Sequence, residues 1–99
     1  MADRFKSGPV DVDENGITIA FREGNGWPTW IRVDNLEGPG DVTVVTIPDA
    51  GPQPATDLVV TAGEALEFDH GRWDGGTGFC GVVLICPPGD TARVRVEAR

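Results

Sequence analysis

Asp41-Val42-Thr43-Val44-Val45-Thr46-Ile47 is the stretch on which the fold turns. Every residue after Asp41 is β-branched, the type that loses rotamer freedom in a helix and packs well on a pleated surface. Gly40 and Pro48 punctuate it at both ends. Upstream, Thr29-Trp30-Ile31-Arg32-Val33-Asp34 alternates with Ile31 and Val33 inward, and Asn35 to Gly40 reads as a turn. Further upstream, Ile17-Thr18-Ile19-Ala20-Phe21-Arg22 puts Ile17, Ile19 and Phe21 on one face. Downstream come Leu58-Val59-Val60, the turn Thr61-Ala62-Gly63-Glu64, and Ala65-Leu66-Glu67-Phe68. Residues 79–86 form the next strand, and Ala92-Arg93-Val94-Arg95-Val96-Glu97 the last. Pro48 to Pro54, with three prolines, and the Gly-rich stretch from His70 to Gly78 read as loops. No window carries apolar residues at helical spacing without Gly or Pro interrupting it.

These signals predict an all-β protein: a single small β-sandwich, immunoglobulin-like or jelly-roll-like, of about seven to eight short strands. Residues 1–15 hold Pro9, several charges and few apolar anchors, and read as an extended N-terminal arm. Residues 16–99 form the sandwich domain. A chain of 99 residues fits one such domain and not two.

Acidic residues outnumber basic ones 16 to 8, a formal charge of −8. That excludes non-specific nucleic-acid binding, which needs a basic surface to displace counterions, and attraction to anionic membranes. The longest apolar run, Gly81-Val82-Val83-Leu84-Ile85, falls far short of the roughly 20 residues that span a bilayer. The first residues contain no apolar core of a secretory signal. A soluble protein kept in a cytosol-like compartment is expected.

Residues 79–86 break the in–out rule. Cys80, Val82, Leu84 and Cys86 would share one face, and Phe79, Val83 and Ile85 the other, with no charge on either. A strand of this kind is buried on both sides, so either the arm or a partner subunit is expected to cover its outer face. Cys80 and Cys86, about 20 Å apart along one straight strand, lie too far apart for a disulfide, which needs Cα atoms within about 7 Å. They read as buried thiols.

Asp11-Val12-Asp13-Glu14-Asn15-Gly16 opens like an EF-hand calcium loop. The twelfth position is Arg22 rather than the bidentate Glu, so an Asn-Gly turn before a strand is the simpler reading. A looser calcium site on Asp11, Asp13 and Asn15 is the alternative. His70, the sole histidine, lies between Asp69 and Arg72 in what reads as a polar loop. One Ser, one His, one Lys and no Tyr leave poor material for catalysis. The expectation is no enzyme, no catalytic residue, no metal and no cofactor. Trp27, Trp30 and Trp73 sit in or beside loops, where they fill the core edge, a protein interface or a sugar-stacking platform. Arg93, Arg95 and Arg99 read as a charged outward face that protects an edge strand, or as a docking strip.

The strand grammar resembles that of small β-sandwich capsid decoration and minor head proteins of tailed phages of high-GC bacteria. The residues that carry it are Thr29 to Asn35, Gly40 to Ile47, Leu58 to Glu64 and Ala92 to Val96. The resemblance implies a non-enzymatic virion structural protein, assembled in the bacterial cytoplasm, that binds and stabilises the shell surface. Its partners would be the major capsid protein or another virion protein, and its own copies as a homo-oligomer, with no nucleic acid and no membrane. Candidate interface residues are Phe5, Val10, Trp27, Trp30, Trp73, Phe79, Val83 and Ile85. The alternative is a carbohydrate- or ligand-binding module that uses exposed tryptophans.

Overall fold

A computed structural model of the chain describes residues 5–21, 27–38, 40–48, 58–69 and 78–99. Nine described strands follow one another: β1 (Phe5–Lys6), β2 (Val10–Val12), β3 (Ile17–Ala20), β4 (Trp30–Glu37), β5 (Val42–Pro48), β6 (Leu58–Val60), β7 (Ala65–Asp69), β8 (Phe79–Ile85) and β9 (Ala92–Ala98). They form two antiparallel sheets packed as a small β-sandwich. Sheet A runs β1-β9-β4-β7, with β2 also on β9, and sheet B runs β3-β8-β5-β6. Among the described strands only β1 with β2 and β5 with β6 follow one another within a sheet; every other connection passes from one sheet to the other, the turn of residues 13–16 from A to B and residues 61–64 from B to A among them.

Alternation decides which side chains meet between the sheets. Ile31 and Val33 of β4, Val42 and Val44 of β5, Val82 and Leu84 of β8, and Val94 and Val96 of β9 are fully buried. Each such Val, Leu or Ile stabilises the fold by roughly 1.5–3 kcal/mol relative to exposure. Asn35 occupies an inward position on β4 and is also buried. Its Nδ2 donates to the carbonyls of Gly40 at 3.0 Å and Val60 at 3.1 Å. Those bonds hold a polar side chain inside, so β4 runs on to Glu37 through the segment expected to turn at Asn35. Oδ1 of Asn35 is buried with no hydrogen-bond partner among the described residues.

Of the segment expected as an arm, the described residues 5–12 run along β9. Phe5 lies opposite Ala98 and Val10 opposite Val94, so β1 and β2 share one edge of β9. Val12 is 1% exposed in the core, and Phe5 and Val10 pack against it. A few anchors suffice because Val10 and Val12 share one face and the β9 ladder supplies the backbone bonds. This placement is on sheet A, whereas β8 belongs to sheet B. The arm strands therefore leave the outer face of β8 uncovered.

A bulge alters that face. Ile47 pairs with Gly81 but Pro48 with Phe79, which leaves Cys80 as the extra residue. The bulge turns Phe79 inward, where it is fully buried. Phe79 thus leaves the face it was expected to share with Val83 and Ile85.

Candidate protein interface

Residues opposite one another on paired strands point to the same side of a sheet. On the outer side of sheet B this places three rows. Thr18, Val83 and Val45 form one. Ile85, Thr43 and Val59 form the second, and Ala20, Gly81 and Ile47 the third. No residue in these rows is charged. Val59 is 54% and Ile85 36% exposed, and Val45, Ile47 and Val83 are half-buried. Apolar, β-branched side chains on β8, β5 and β6 are thus exposed or half-exposed on this face. Gly81 lets β3 and β8 approach closely, because a Cβ there would collide with the Ile19 carbonyl oxygen.

The outer side of sheet A has the opposite character. Lys6, Glu97, Arg32 and Glu67 lie in one row across four strands, alternating in sign. Arg95 and Asp34 form a second row, and Asp11, Arg93 and Glu37 a third. Arg32 contacts Asp34 at 3.1 Å and Glu67 at 3.3 Å. Asp34 also meets Arg95 at 3.8 Å, and Asp11 meets Arg93 at 3.6 Å. The guanidinium of Arg99 lies 4.4 Å from the centre of the Trp30 ring, a cation–π contact. This face satisfies itself through its own charges, and Arg93 and Arg95 serve those pairs.

The expected interface residues therefore separate. Val83 and Ile85 lie on the outer face of sheet B. Trp30 is on the opposite sheet, with one ring face taken by Arg99. Trp27 is half-buried, and its Cβ and carbonyl lie close against Gly78. Phe5 packs on Phe21 with the rings tilted by 54° and their centres 5.2 Å apart, and Val10 packs on the core. Phe79 is interior. Trp73 and His70 lie outside the described residues. Sequence reading missed Thr43, Val45, Ile47 and Val59. The signal was available: residues 42–47 are uncharged on both faces, like residues 79–85.

Reactive groups are otherwise engaged. The Cys86 thiol is buried and donates to the Val12 carbonyl at 3.6 Å. Burial, then the carboxylates of Asp90, Asp13 and Asp41, push its pKa up from 9.0, which disfavours a nucleophilic thiolate. Neither cysteine forms a disulfide. Asp13 builds the turn into β3: its Oδ1 accepts from the Asn15 N–H at 2.9 Å and its carbonyl from Gly16 at 3.1 Å. Gly16 has a φ of 74°, the left-handed region that glycine enters without strain. Asp11 pairs instead with Arg93. Among the described residues, no three His, Cys, Asp or Glu side chains converge on a point that holds a metal.

No helix among the described residues is long and apolar enough to cross a membrane. No protein-family model matches the chain, and a search of curated proteins returns no match.

Proposed function

We propose that the protein acts by protein–protein contact and not by chemistry, as a non-enzymatic structural protein of a phage head. In this reading the outer face of sheet B docks on the capsid shell and stabilises it, as a decoration or minor head protein does. The observation that supports the contact is the uncharged, β-branched outer face of sheet B on a chain of net charge −8. Exposed apolar patches of this kind mark interaction sites. The choice of a virion shell as partner rests on the strand motifs of residues 29–97. The acidic remainder of the surface favours solubility and steers the molecule toward a basic patch on the shell.

The test is to delete the coding sequence from its source genome and compare purified particles with and without the chain. The reading expects the chain on intact heads, and heads without it to break at lower temperature. Source cells that yield no particles carrying the chain contradict it.

A further inference from the structure

Sheet B ends in β3 on one side and β6 on the other. The edges of sheet A carry charge at Lys6, Asp11 and Glu67. Natural sheets blunt their edges with charge, proline, bulges, short strands or a covering segment. β6 is only three residues long. β3 is longer, and the run Gly16-Ile17-Thr18-Ile19-Ala20-Phe21 has neither charge nor proline. Among the described residues, no strand lies along its far side.

The backbone of β3 has a defined direction. Phe21 N–H donates to the Cys80 carbonyl at 2.7 Å, toward β8. In an antiparallel pair the direction alternates, so Ile17 and Ile19 also address β8. Thr18 and Ala20 then aim both their N–H and C=O groups outward. A second β3, antiparallel and related by a two-fold at Ile19, sets Thr18 opposite Ala20 of the second copy and Ala20 opposite its Thr18. Each pair exchanges two hydrogen bonds, and all four outward groups of each copy are used. Ile19 meets its own equivalent and Ile17 meets Phe21 of the second copy, all on the inward side. A slip of one residue sets outward side chains against inward ones. A slip of two in one direction uses the Gly16 N–H, already committed to Asp13.

We propose that β3 is a self-pairing edge, and that two copies join there into one continuous sheet built from two sheets B. The occupant is a second copy because the edge is complementary to itself and a two-fold contact needs that property. It is also a place where two acidic chains meet without bringing charged strand residues together. The uncharged outer faces of the two copies then run on as one. The pairing stands apart from the shell reading, since it holds or fails in the purified protein alone.

Sedimentation of the purified chain across a concentration series tests it, together with amide hydrogen exchange. The mass is expected to rise from 10.5 kDa to twice that value, with the Thr18 and Ala20 amides gaining protection in step. Thr18→Lys and Ala20→Pro, at exposed outward positions, are each expected to stay at the single-chain mass with an unchanged far-ultraviolet spectrum. Val59→Lys, on β6 at the opposite edge of sheet B, is expected to dimerise normally while losing shell binding, which separates the two readings. A single-chain mass at every concentration overturns the proposal. So does a dimer in which the Thr18 and Ala20 amides exchange freely, or one that both β3 variants retain.

Discussion

On sheet A the row Lys6, Glu97, Arg32 and Glu67 crosses four strands with alternating charge; on sheet B the corresponding space holds Thr18, Val83 and Val45. Both faces belong to antiparallel sheets that bury their other side in the same core. On sheet A each charge has an opposite neighbour, so the face meets water with its interactions already made. On sheet B the only polar side chains in the rows are threonines. Four strands at about 4.8 Å spacing and about five residues in length make an area of roughly 300 Å². That is well under the roughly 800 Å² per partner of a standard interface. The proposed pairing at β3 would double it to roughly 600 Å², still short of that size.

The contrast is most sharply broken on β8, where adjacent residues face opposite ways. Leu84→Ala opens a cavity in the core and is expected to lower the unfolding free energy by about 2–5 kcal/mol. Val83→Ala on the outer face is expected to cost less than about 1 kcal/mol. Urea titration of the two variants measures both. Equal losses would mean that the outer face is covered in the isolated protein. Gly81→Ala, in the middle of the same face, is expected to cost about 1–3 kcal/mol, because the new Cβ displaces the Ile19 carbonyl.

Between the faces, Cys86 gives a pH signature. Its pKa is raised in the folded chain, so the unfolded chain ionises first as pH climbs. The stability it contributes is complete below the unfolded value of 9.0 and is lost as pH rises through the folded one. Denaturation from about pH 8 to about pH 10 should show a steeper decline for the native sequence than for Cys86→Ala. The smallest effect belongs to sheet A. Arg32→Ala is expected to cost no more than about 1 kcal/mol, and less as salt is added, because its pairs are partly exposed. A larger, salt-independent loss would show that the charged ladder is more than a solvated surface.

Period-two patterning made most of the sandwich readable. Val42 to Ile47, Leu58 to Val60 and Val94 with Val96 announce strands because their side chains decide between core and water residue by residue. What stayed hidden depended on long-range pairing. Phe5 and Val10 look isolated in sequence and become anchors only when β9, far along the chain, lies beside them. Asn35 reads as a turn residue until Gly40 and Val60 supply its acceptors. The β8 bulge at Cys80 is set by its register with β5, so the inward turn of Phe79 has no local signal. The outer face was half legible: Val83 and Ile85 stood out in a doubly apolar run, while Val45 and Ile47 lie in a run that is equally uncharged but carries threonines on both faces, which reads as an ordinary half-solvated strand.

The most direct test of the account compares Val83→Lys with Glu67→Lys for retention on purified heads. Both side chains face outward, on opposite sheets. The account predicts that Val83→Lys is lost from the heads and that Glu67→Lys stays bound like the native chain. Retention of Val83→Lys with loss of Glu67→Lys would contradict it, and would move the contact to the charged face of sheet A.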